Sequence, residues 1–189
     1  MKAILGLSFP LLKGFSMFSL GDKVVYPGHG VAKINRMVEK NIAGSISRLF
    51  ELEFINKDMT ILVPTTNLDA VGLRKLSSSE IIDSAFEILS KPAKVCRESM
   101  LCNWNKRSKD YQCKLRTGDL YEICRIYRDL NHLAARKELS FGEKNLLRET
   151  ESLLIEEISL VKNVAEEKAM AQLRSLFIPS RQISQVCTQ

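Results

Sequence analysis

Hydrophobic and polar positions alternate with a period of two through the first third of the chain. Lys23–Tyr26 is β-rich and closes on Pro27-Gly28-His29-Gly30, a cluster whose backbone demands a turn. The pattern resumes over Gly30–Val38 with Val31, Ile34 and Val38, and a second turn falls at Asn41–Ser45 around Gly44. Arg48–Ile55 sets Phe50, Leu52 and Phe54 against Leu49, Glu51 and Glu53, as a half-buried strand requires. Asn56-Lys57-Asp58 then turns the chain into Met59–Val63, which Pro64 stops. Short strands joined by tight turns predict a small antiparallel sheet curled into a barrel.

The period changes after Ser77-Ser78-Ser79-Glu80. Ser77 and Glu80 have the spacing of a capping box, in which a hydroxyl and a carboxylate satisfy unpaired N–H groups at a helix start. Ile81, Ile82, Ala85, Phe86 and Leu89 follow at helical spacing up to Pro92. Asn103–Leu115 predicts a further helix, ended by Thr117-Gly118. Leu120, Ile123, Cys124, Tyr127 and Leu130 then mark an amphipathic one. Ser140 and Glu143 form a second capping box, and Leu147, Leu154 and Val161 trace the buried stripe of a long helix. The expected layout is α+β: a β module over 17–75 and an all-α module over 76–176, with a loose tail over 177–189.

Composition narrows the class. The 189 residues are 45% apolar and 26% charged, as in an ordinary globular protein, and no apolar run approaches the ~20 residues of a membrane span. Residues 1–16 resemble a weak signal peptide, but Pro10 and Lys13 interrupt the apolar stretch and no small-residue cleavage site follows. They read as an extension or a misassigned start, with the more regular pattern beginning at Met17. The five cysteines form no Cys-x-x-Cys pair, and only two histidines are present, so metal-finger spacing is absent and reduced, intracellular thiols are expected.

The net charge of +6 matters less than its placement. Residues 91–128 carry ten bases against four acids, whereas residues 138–167 carry eight glutamates against three bases. A segregated basic surface neutralises phosphates and releases counterions, although long basic side chains also simply solvate helix faces. Trp104, the single tryptophan, stands in Asn103-Trp104-Asn105-Lys106-Arg107-Ser108-Lys109. Such an indole suits stacking on a base or wedging between base steps; it also suits a lid on a helical core. There is no phosphate-binding Gly-rich loop, His29 reads as a turn histidine, and Glu151, Glu156 and Glu157 fit solvated helix charge. No catalytic constellation, cofactor motif or metal site emerges.

Phe18-Ser19-Leu20-Gly21-Asp22-Lys23-Val24-Val25-Tyr26-Pro27-Gly28-His29-Gly30-Val31-Ala32 resembles the opening of the CarD/CdnL family of bacterial transcription regulators. Val63-Pro64, Asn103-Trp104, Arg107, Thr117-Gly118-Asp119, Arg128-Asp129-Leu130 and Leu139-Ser140-Phe141-Gly142-Glu143-Lys144 also resemble it, in order, across residues 17 to 176. The resemblance implies a Tudor-like barrel that docks on the RNA polymerase β subunit, with Lys40, Ile42 and Leu62 at polymerase-binding positions. Better-known members carry arginines where this chain has Lys40 and Leu62, so the planar fork and one charge are lost. It further implies a helical module on promoter DNA at the upstream edge of the bubble. Trp104 would be the minor-groove wedge, and Lys106, Arg107, Lys109 and Lys144 would contact phosphates. A cytoplasmic protein, monomeric when free, without membrane, cofactor or enzymatic activity, is the expectation. The other readings are a free-standing nucleic-acid binder that needs no polymerase, and a protein-binding adaptor.

Overall fold

The computed structural model describes residues 18–42, 44–91 and 104–177. The expectations for residues 1–16, for the tail beyond Phe177 and for Cys96, Cys102, Cys187, Lys94 and Arg97 lie outside the described residues. Five strands come first: β1 (Lys23–Tyr26), β2 (Gly30–Ile42), β3 (Ser45–Phe54), β4 (Thr60–Pro64) and β5 (Arg74–Lys75). They form one antiparallel sheet in the order β4-β3-β2-β1-β5. A short helix, α1 (Leu68–Val71), lies between β4 and β5. The alternation of the sequence decides which face is covered. Val24, Ala32, Ile34, Phe50, Leu52, Phe54 and Val63 pack with Phe18, Leu68 and Leu73 in one core.

Five more helices follow: α2 (Ser79–Ser90), α3 (Trp104–Thr117), α4 (Leu120–Ala134), α5 (Phe141–Lys162) and α6 (Glu166–Ser175). Their apolar faces meet in a second core that includes Ile82, Leu115, Ile123, Tyr127, Leu130, Leu154 and Leu173. Cys124 is sealed inside it, and burial pushes its thiol up to about 12. Phe177, at the start of the expected loose tail, packs edge-on against Tyr127 with ring centroids 5.5 Å apart. The chain therefore stays packed through that residue.

Three local readings are corrected. The cap of α2 is Ser78, whose hydroxyl accepts the Ile81 N–H at 3.4 Å; Ser77 is engaged elsewhere. The long helix expected after Ser140 is α5, and Asn163, in left-handed geometry (φ 51°, ψ 49°), ends it before α6. The α5 helix is also covered on several sides. Leu154 is buried, but Leu147 and Val161 are only half-buried, and every residue from Leu153 to Ser159 is buried. That stretch is buried all round and has no solvated stripe, so Glu156 and Glu157 are interior groups.

These two glutamates face the sheet module. Arg74 Nη1 and Nη2 donate to the two oxygens of Glu157 at 2.7 and 2.8 Å. The Ser77 backbone N–H and hydroxyl donate to the same carboxylate at 3.1 and 2.7 Å. Burial alone would push the Glu157 carboxyl up, but these donors outweigh it and hold the group below the ordinary carboxylate range. Glu156 accepts the Val31 N–H, and burial leaves it above that range.

Candidate functional site

Trp104 opens α3, and its indole rests on Gly142 in the first turn of α5. A Cβ at position 142 would stand 2.8 Å from the ring, so only glycine permits this approach. The capping box of α5 supports the arrangement from beneath. Ser140 donates its N–H to Glu143 Oε2 at 2.8 Å, and the Glu143 N–H donates to Ser140 Oγ at 3.4 Å. Arg107 reaches across from α3 and donates to Glu143 Oε1 at 2.5 Å, while its guanidinium lies 5.9 Å from the indole centroid. Lys137 adds a further contact to Glu143 at 3.4 Å. Burial would raise the Glu143 carboxyl, but Ser140 and Lys137 outweigh it and keep it low. Trp104, Arg107, Gly142 and Glu143 are thus one packed unit with a half-buried indole.

Around that unit the surface is cationic and apolar. Lys106 and Lys109 are exposed on α3 and make no ion pair among the described residues. Lys144 stands one turn into α5 and pairs with exposed Glu138 at 2.9 Å, a contact that solvent screening keeps weak. Arg107 differs from the other basic positions. Its side chain is only 14% exposed, so its first contribution is to hold α3 on α5. Phe141, 79% exposed beside Gly142, was not singled out from sequence. Its position directly after the Ser140 cap, outside any apolar periodicity, is the signal that could have marked it.

The sheet carries the second set of residues. Cross-strand partners lie on one face, and the register pairs Arg36 with Glu51, Val38 with Leu49 and Lys40 with Ser47. Ile42 continues this series, and Leu62 joins it through its pairing with Glu51. Lys40, Ile42 and Leu62 therefore share the face opposite the core, although Lys40 and Leu62 are two strands apart. Leu62 lies on the edge strand β4, whose outer side pairs with no other strand among the described residues.

Comparison with known proteins covers both regions. Residues 18–77 match the family described as the CarD-like/TRCF RID domain, and residues 84–174 match CarD, C-terminal domain. The chain belongs to the CarD family. CarD-family membership makes it a transcription regulator that interacts with RNA polymerase. It is 26% identical over 152 residues to YdeB of Bacillus subtilis (strain 168), spanning 80% of this chain and 97% of that one. The solution structure of the N-terminal domain of Myxococcus xanthus CarD is 29% identical over 31% of this chain and 79% of that one. Its TM-score is 0.28. Among the described residues there is no candidate metal cluster, and no helix is long and apolar enough to cross a membrane.

Proposed function

We propose that the sheet module docks on the RNA polymerase β subunit through the face bearing Lys40, Ile42 and Leu62, and that Trp104 wedges into the minor groove at the upstream edge of the promoter bubble. The observation that carries this reading is the half-buried indole fixed on Gly142 beside exposed Phe141, Lys106 and Lys109. A ring already held in place loses little conformational freedom on binding, and apolar wedges enter most easily where base steps are already unstacked. Lys106, Lys109 and Lys144 would hold backbone phosphates, with Arg107 bracing the ring.

The wedge acts by differential binding. It contacts the melted junction better than closed duplex and so shifts the population toward the open complex without any covalent step. Docking on polymerase supplies the effective concentration, so the modest net charge of +6 is enough. The test is the lifetime of the open complex with wild type and with Trp104→Ala. The variant is expected to lose the added lifetime while still binding polymerase. An unchanged lifetime with a folded, polymerase-bound variant overturns the wedge.

A further inference from the structure

The contact between the two modules is built unlike an ordinary linker crossing. Glu157, 2% exposed, receives four hydrogen bonds from Arg74 and Ser77, both of which precede the first long helix. The remaining Arg74 nitrogen, Nε, donates to the Gly118 carbonyl at 2.7 Å. Glu156 stands next to it against the β1–β2 turn, so close to Gly30 that any side chain there would collide with its carboxylate. Asn56, in the β3–β4 turn, adds a hydrogen bond to Glu166 of α6 at 2.5 Å. Two adjacent buried carboxylates on one helix are costly to desolvate, and here one of them accepts two hydrogen bonds from Arg74 of the sheet module and two from Ser77, just past it.

The same helix carries the wedge support. Gly142 and Glu157 are fifteen residues apart in α5, about 22 Å along a continuous helix. A rod of that length converts a tilt of about 10° at Glu157 into a displacement of about 4 Å at Trp104, enough to defeat a fit that tolerates about 1 Å.

We infer that Glu157 is a positioning residue: by clamping Arg74 and Ser77 it sets α5 against the sheet, so that a polymerase-bound molecule presents Trp104 at one place and angle. The inference rests on the wedge reading given above. Its basis is the continuity from Arg74 through Glu157 and α5 to Gly142 and the indole.

Two measurements on the full chain test it. Residual dipolar couplings of sheet and helix amides should fit one alignment tensor in the wild type and two distinct tensors in Glu157→Gln. Ser77→Ala, which removes only one donor, is the milder second variant and should loosen the fit in the same direction. On promoter complexes at saturating protein, Glu157→Gln should cut the lifetime gain by about threefold or more, with polymerase affinity held within about twofold. In a Trp104→Ala background it should add nothing further, since both changes remove the same contact. One shared tensor in both variants, or a full lifetime gain despite two tensors, overturns the inference. If Trp104→Ala itself leaves the lifetime unchanged, the wedge reading fails, and the couplings still decide whether Glu157 fixes the orientation.

Discussion

A methyl group at position 142 would sit 2.8 Å from the Trp104 ring, yet position 142 is inside a helix where alanine is intrinsically favoured by about 1 kcal/mol. The two effects oppose each other, so Gly142→Ala should change thermal stability by about 1 kcal/mol or less. It should instead displace the indole, visible as a shift in the emission of the single tryptophan and a loss of open-complex lifetime. Unchanged emission would show that the ring is not held by that contact. Glu156 supplies a prediction of opposite kind. Its folded-state carboxyl lies above the ordinary range, first because of burial, so its ionised form opposes folding at neutral pH. Glu156→Gln should therefore raise the melting temperature at pH 7, and the gain should vanish as pH falls through the carboxylate range. Neither glutamate could be read as interior from sequence, because burial at 156 and 157 depends on the sheet arriving against α5. Ser77 was misread for the same reason: its apparent partner Glu80 is local, whereas its actual partner Glu157 is eighty residues away.

The first turn of α5 shows how much of an element sequence can specify. Ser140 and Glu143 satisfy each other's backbone donors at the spacing that marks a capping box, and that local chemistry survives in the fold. What it could not reveal is that Glu143 also receives Arg107 from another helix, because that contact is tertiary. Ser140→Ala should cost about 1 kcal/mol, as for an ordinary cap. Glu143→Ala should cost about 3 kcal/mol, because it also leaves a largely buried guanidinium without this carboxylate. Chemical denaturation checks both, and the double variant should cost less than the sum, since one residue supports the other. An additive result would separate the cap from the ion pair. The end of α5 at Asn163 is set by an asparagine in left-handed geometry, which carries no periodic signature in sequence.

At the scale of the whole molecule, two binding surfaces on one chain make different demands on concentration. In the proposed function, the face with Lys40, Ile42 and Leu62 would govern how much protein is on polymerase, whereas Trp104 would govern what a bound molecule does there. Ile42 is 48% exposed and Leu62 is half-buried on an edge strand, outside the sheet's core, so Ile42→Asp and Leu62→Asp should leave the fold intact. Each puts a carboxylate into the proposed docking face and should weaken polymerase binding by about tenfold, the equivalent of about 1.4 kcal/mol. Open-complex lifetime measured across a concentration series separates the two roles. The docking variants should move the midpoint to higher protein and reach the wild-type plateau, because added protein restores occupancy. Trp104→Ala should keep the midpoint and lower the plateau, because occupancy without the wedge does not shift the open population. A docking variant with a lowered plateau would mean that the sheet face contributes to the open state itself, not only to attachment. A Trp104 variant with a shifted midpoint would mean that the indole helps to hold polymerase, and the division of labour between sheet and helices would fail.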